Sequence, residues 1–291
     1  MCRDGPRNLR GPSCIGFPVT YGHFGLPGDF MLKIVVLSDL HLRPKGILVN
    51  GLDAHDRLVQ GIDWLNRAHA DADLCVLAGD LVDTGDKASY EALKHQVMRA
   101  KVPVEMTIGN HDDRDTFVSV FGKGQLSETG FVDKALDLHG HRIIILDSAI
   151  TGAPAGRLEP AQLHWLTQRL EEAADRPVIV IVHHHANPLG TIVDKIILEN
   201  GMAFARALSR HKDIRQVIAG HVHYTSTATW MGIPFTTIAG GHYSVQALLD
   251  PTEPAPKLTG PAQMAVVLGS PDATTVHFDD YINGNPRLSG R

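Results

Sequence analysis

Cysteine is scarce in this sequence, with three in 291 residues, at Cys2, Cys14 and Cys75, and no C-x-x-C spacing between them. That excludes a disulfide-stapled scaffold and a thiolate-rich metal site. Cys75 sits inside an apolar run, where a buried, reduced thiol is expected, and this favours an intracellular, cytoplasmic protein. Long apolar stretches are lacking too. None approaches the roughly 20 residues of a membrane span, and the N-terminus has no apolar core of a secretory signal, so no membrane partner is expected. Positive charge is also short: Lys and Arg number 27 against 32 Asp and Glu, for a net charge of -5. They cluster on no expected element, so no nucleic-acid polymer is expected to be drawn in. What is present is a large apolar fraction, 43% of the chain, enough for one sizeable α/β catalytic domain. Histidine is the outlier at 17 residues. As both ligand and proton donor near neutral pH, it hints at a metal site.

Residues 1–30 scatter Gly and Pro without an apolar period. They read as a disordered tail or as translation assigned from too early a start, with Met31 the working initiator; a targeting peptide is the minor alternative. From Met31 the chain alternates short apolar runs with longer amphipathic ones, as layered strands and helices do. Strands are expected at 33–38 (KIVVLS), 74–78 (LCVLA), 104–108 (VEMTI), 142–146 (RIIIL), 178–182 (VIVIV) and 216–219 (QVIA). Helical spacing covers 53–70, 89–100, 160–174 and 201–211, with Pro160 suited to a first turn. Closing strands are expected at 264–268 and 274–278, within one domain spanning 31–282, followed by a flexible end at 283–291.

The polar residues fall where these strands stop. Asp39 and His41 follow the first, Asp80 the second, Asn110, His111 and Asp112 the third, His183, His184 and His185 the fifth, and His221 and His223 the sixth; the fourth ends in Asp147. Ligands of open α/β sheets bind outside the carboxyl ends of strands, so residues far apart in the chain can converge in one crevice of one sheet. Carboxylate, imidazole and amide ligands without thiolate suit Mn, Fe, Zn or Co rather than Ca or Mg. Seven such ligands exceed one coordination shell once water is added, whereas a bridging carboxylate between two metals ~3.5–4 Å apart uses them all. Two divalent ions would also leave the pocket net positive, as an anionic phosphate requires.

This set resembles the calcineurin-like metallophosphoesterase superfamily, whose blocks read D-x-H, G-D-x-x-D, G-N-H-D, a histidine after a strand, and G-H-x-H. All five stand here in order, over roughly 31–243. The runs GNHDDR, HHHANPLG and AGHVHYTSTATWMGIP resemble the class III cyclic-nucleotide and glycerophosphodiester phosphodiesterases within it. The resemblance implies a layered β-sandwich flanked by helices. It implies two divalent or mixed-valence transition-metal ions, Asp39, His41, Asp80 and His223 holding one, and Asp80, Asn110, His183 and His221 the other, with Asp80 as bridge. The family has His-His-Pro-Pro where this chain has His183-His184-His185-Ala186, so His184 remains an alternative to His183. His111 is implied to steady the phosphoryl oxygens or protonate the leaving alkoxide, with Asp112 orienting it. The nucleophile is implied to be the metal-bridging hydroxide. Asp83 reads as a supporting or helix-capping carboxylate, and His242 and Tyr243 as candidates for the substrate side.

The leading expectation is thus a dimetal hydrolase of a small phosphodiester, in a fairly open site with residues 250–261 as a lid or partner contact. A phosphomonoesterase and a non-catalytic metal-binding scaffold are the alternatives, and a scaffold would be expected to have lost ligands. Self-association as a homodimer is left open. A chain beginning at Met31 is expected to fold and turn over like the full chain. Loss of solubility or of most activity in that truncation would show that the preceding residues pack on the domain.

Overall fold

The computed structural model describes residues 32–283; the expectations for 1–30 and for most of 283–291 fall outside them. Eleven strands build two sheets. In chain order they are β1 Leu32–Leu37, β2 Leu74–Ala78, β3 Val104–Thr107, β4 Lys134–Leu138, β5 His141–Leu146, β6 Val178–Val182, β7 Ile214–Ala219, β8 Ser226–Trp230, β9 Ile233–Thr237, β10 Ala262–Gly269 and β11 Thr274–Ile282. One sheet runs β11-β10-β1-β2-β3 and the other β8-β9-β7-β6-β5-β4. The helices are α1 Ala54–Ala68, α2 Lys87–Val97, α3 Arg114–Phe121, α4 Pro160–Glu171 and α5 Gly201–Leu208. Among the described residues no helix is long and apolar enough to cross a membrane.

Alternation along the strands explains the layers. In β1, Leu32, Ile34 and Val36 meet Ile143, Ile145, Ile179, Ile181 and Ile218 of the opposite sheet between the two. Val35 and Leu37 face the other way, onto Leu58, Ile62 and Leu65 of α1 and Leu93 of α2. In β6, Ile179 and Ile181 point inward while Val178, Val180 and Val182 pack on Trp165, Leu166 and Phe204 of α4 and α5. Each sheet is therefore buried on both faces, which is why its strands read as continuous apolar runs. Each such side chain gains about 1.5–3 kcal/mol on leaving water.

Helix starts follow their caps. The Asp53 carboxylate accepts from the His55 and Asp56 N–H groups, Asp86 from Ser89 and Asp113 from Thr116. Gln162 accepts from the Glu159 N–H at 2.9 Å beside Pro160 in the first turn of α4.

Strands β1, β2 and β3 are mutually parallel, as are β5, β6 and β7. Their carboxyl ends meet at one end of the sandwich. The sequence reading puts these ends in a single sheet; the structure divides them, with β1, β2 and β3 in one sheet and β6 and β7 in the other. The crevice is the open end of the sandwich rather than a switch point within one sheet. Helix α3, strand β4 and the β8–β9 hairpin were not among the expected elements.

Candidate metal centre

Asp39 and Asp80, on the loops after β1 and β2, are almost wholly buried, and His41, His183 and His223 beside them equally so. Donor atoms of Asp39, His41, Asp80 and His223 all lie within 4.8 Å of one another. His41 Nε2 is 3.3 Å from His223 Nε2 and 3.7 Å from Asp80 Oδ2, and His223 Nε2 is 3.3 Å from Asp39 Oδ1. On the other side of Asp80, His183 Nε2 stands 3.3 Å from both Asp80 Oδ1 and Asn110 Oδ1. His183, His184 and His221 form a second cluster. The structure thus brings all seven expected ligands to one place, with Asp80 between the two groups.

Each of these rings spends one nitrogen on an anchor outside the cluster. His183 Nδ1 donates to the Ala78 carbonyl and His223 Nδ1 to the Tyr243 carbonyl, both at 2.9 Å, while His221 Nε2 donates to the Ile196 carbonyl at 3.0 Å. His41 Nδ1 lies 3.3 Å from Asp83 Oδ1. A carbonyl can only accept, so the anchored nitrogen carries a proton and the other nitrogen faces inward, the orientation of a metal-binding imidazole. Among the described residues no Lys or Arg pairs with Asp39 or Asp80, although buried carboxylates require a compensating charge. The donor set therefore fits cations bound between the loops.

The buried carboxylates and imidazoles also set one another's charge. Burial favours the neutral forms, yet the surrounding imidazoles, His183 first, hold the Asp80 carboxyl well below the usual carboxylate range. Burial pushes His183 down, but the Asp80 charge and hydrogen bond outweigh it and lift the ring to about 9. His221, buried beside His184 and His183, is held well below its ordinary value, and burial lowers His223 to about 4. His221 and His223 remain neutral donors.

The backbone is bent to achieve this. Asp39, His41, Asp80, His221 and His223 all adopt left-handed φ angles, between 43° and 70°. A non-glycine residue there costs roughly 1–2 kcal/mol, and such strain gathers at functional sites. Two glycines make room: a Cβ on Gly79 would meet the His183 ring, and one on Gly109 would meet both the Asp80 carboxylate and His183 Nε2.

His111 is not among the inward donors of either group. Its backbone N–H donates to Asp80 Oδ1 at 2.9 Å, its Nδ1 donates to the Asp83 carbonyl at 2.8 Å, and its half-exposed ring meets His41 edge-on. No hydrogen bond among the described residues engages Nε2, and His111 lines the cavity described below. The expectation that Asp112 orients His111 is corrected here. The Asp112 carboxylate accepts instead from the Gly109, Leu81 and Val82 N–H groups and the Tyr90 hydroxyl, at 2.8 to 3.2 Å. It ties the Asp80 loop to the Asn110 loop; burial and the Asp80 charge raise its carboxyl to about 7. The residue that holds His111 is Asp83, which the sequence marked only as a supporting carboxylate. His184 Nδ1 lies 2.7 Å from Ser148 Oγ, so this second histidine is anchored to the rim beside β5.

A cavity of about 320 Å³ opens over Asp80, Asn110, His111, His221 and His223. Pro154, Ile192, Val193, Ile196, Val222, Tyr243, Val245, Pro254, Ala255 and Lys257 complete its lining. Tyr243 thus lines the cavity, whereas His242 is buried and bonded to the Val49 carbonyl at 2.9 Å.

A sandwich flanked by helices, with carboxylates and imidazoles massed at its open end, defines the class of metal-dependent phosphoesterases. The calcineurin-like phosphoesterase model matches residues 32–225, and the chain belongs to that family, whose members bind two divalent metal ions. A probable cyclic nucleotide phosphodiesterase of Rhodococcus erythropolis is 34% identical over 217 residues, 72% of this chain and 71% of that one. A cAMP/cGMP dual specificity phosphodiesterase of Mycobacterium tuberculosis is 32% identical, over 72% of this chain and 67% of its own. A probable glycerophosphodiester phosphodiesterase of Arcobacter nitrofigilis is 30% identical, over 73% and 79%. Among solved structures, a dimetal phosphatase from Danio rerio superposes with a TM-score of 0.63 at 15% identity, over 85% of this chain and 99% of that one, a likeness of fold.

Gly109→Ala is expected to displace Asp80 and His183 together. Elemental analysis of the purified variant should find most of the bound metal gone while circular dichroism stays that of the parent. Full metal content in Gly109→Ala would mean that the cluster is not where the ions sit.

Proposed function

We propose that this protein is a dimetal phosphodiesterase acting on a small diester of the cyclic-nucleotide or glycerophosphodiester type. The single observation that carries the reading is the convergence of seven donors at one end of the sandwich, where Asp80, Asn110, His221 and His223 line an open cavity together with His111, in a family whose named relatives are phosphodiesterases. Asp39, His41, Asp80 and His223 would hold one ion, and Asp80, Asn110, His183 and His221 the other. His183 is preferred to His184 because its Nε2 faces both Asp80 and Asn110. The oxygen and imidazole donors suit Mn, Fe, Zn or Co. When bound, such a pair activates water at neutral pH and draws charge off the phosphoryl oxygens.

The chain's own residues do the rest. Asp80 sets the spacing between the two positions, and Asp112 fixes the Asp80 and Asn110 loops against each other. Water oxygen joins phosphorus and gives up one proton to solvent, the bond to the alcohol oxygen breaks, and His111, acting as an imidazolium whose Nδ1–H stays bonded to the Asp83 carbonyl, delivers its Nε2 proton to that departing oxygen and regains one from solvent. The apolar walls hold the organic part of the substrate. The open mouth suits a small ester better than a polymer.

Purified protein assayed against a cyclic nucleotide, a glycerophosphodiester and a phosphomonoester, with and without chelator, tests the reading. Chelator-sensitive turnover of diesters is expected; turnover of the monoester alone would replace it with a phosphomonoesterase. His111→Ala should retain its metals and lose about 10²–10⁴-fold on an alkyl or ribose diester, but far less on a nitrophenyl diester, whose leaving group needs no proton. An equal loss on both would assign His111 to the phosphoryl oxygens instead, and loss of metal would make it a ligand.

A further inference from the structure

An exposed lysine lines the cavity. Among its lining residues Lys257 is the only lysine or arginine. It stands in a short ribbon, Lys257–Leu258 paired antiparallel with Ser244–Val245, which brings it beside Tyr243. Its ammonium lies 4.8 Å from the Tyr243 ring centroid and donates to Asn50 Oδ1 at 3.3 Å. Tyr243 in turn stacks on His223, with centroids 4.1 Å apart and planes 25° apart. Asn50 is itself fixed, at the left-handed turn between Leu48–Val49 and Leu52–Asp53. The charge is thus held between an aromatic ring that leans on the metal cluster and an amide on a neighbouring turn. No carboxylate among the described residues forms an ion pair with it. The lining residues Pro154, Ile192, Val193 and Ile196 are uncharged.

A diester seated with its phosphoryl group at Asp80, Asn110 and His111 must extend one alcohol substituent along the rest of this lining. We propose that Lys257 is a specificity-determining residue that sorts phosphodiesters by the charge of that alcohol, admitting neutral and anionic groups and rejecting cationic ones. This rests on the phosphodiesterase reading above. A cationic alcohol held about 6 Å from the ammonium in a half-open cavity would be disfavoured by roughly tenfold, and added salt would erode the difference because the mouth is solvated.

The test compares glycerophosphoglycerol, whose alcohols are neutral, with glycerophosphocholine, in which one is cationic, using the metal-loaded full chain. Where a compound is turned over the readout is kcat/KM; where it is not, the readout is its inhibition constant against bis(p-nitrophenyl) phosphate. The parent protein should favour glycerophosphoglycerol at low ionic strength, and this preference should shrink in high salt. Lys257→Glu should shift the ratio towards glycerophosphocholine by about tenfold or more, whereas Lys257→Arg should keep it. A merely structural lysine would change both compounds alike. A ratio in Lys257→Glu equal to that of the parent, with bis(p-nitrophenyl) phosphate still hydrolysed, overturns the inference and leaves the phosphodiesterase reading intact. A parent protein that hydrolyses no diester at all, while cleaving a phosphomonoester, overturns that reading and this inference with it.

Discussion

Two carboxylates buried without a Lys or Arg partner are the constraint around which this molecule is arranged. Asp39 and Asp80 lie out of water at the end of a sandwich, surrounded by imidazoles whose outer nitrogens are already committed to carbonyls or to Asp83. Such a concentration of negative charge in a low-dielectric interior needs positive charge beside it, which bound cations would supply. The fold supplies the rigidity that keeps the donors from relaxing apart. Ile34, Val36, Ile179, Ile181 and Ile218 lock the sheets together just below the strand ends. The loops above inherit that rigidity, and Asp112 removes the remaining freedom between two of them through bonds to three backbone N–H groups.

Local strain and local permissiveness are distributed to match. The left-handed residues at Asp39, His41, Asp80, His221 and His223 are held by the packing beneath them and turn the side chains back over the strand ends. Gly79 and Gly109 let backbone approach His183 so closely that no side chain would fit. The catalytic proposal for His111 depends on the same close packing. Its main-chain N–H is tied to Asp80 and its ring to the Asp83 carbonyl, so the position of the proton donor and that of the proposed bridging ligand are set together.

Much of this was legible in the sequence. Strands buried on both faces must read as unbroken apolar runs, and a donor that follows such a run directly can only lie at the strand's end. KIVVLS before Asp39 and VIVIV before His183 therefore identified both scaffold and candidate ligands. What was not legible depended on how loops turn. Asp112 follows His111 and looks like its partner, but its N–H bonds back to the Gly109 carbonyl and the tight turn carries its carboxylate away to the Asp80 loop. Helix α3 was missed because TFVSVF is rich in residues that favour strands; the Asp113 cap and the packing of Phe117 decide otherwise. The β8–β9 hairpin turns at Met231 and Gly232, both at positive φ, without the asparagine or aspartate that announces such a turn. The place of Lys257 depends on two ribbons far apart in sequence, joined through Asn50.

The central claim is that Asp80 stands between two metal ions and belongs to both. Anomalous diffraction from crystals of the protein as purified, collected on either side of the absorption edge of the bound element, addresses it directly. Two peaks about 3.5–4 Å apart are predicted, each within bonding distance of the Asp80 carboxylate. A single peak, or two that leave Asp80 unbound, would contradict the account.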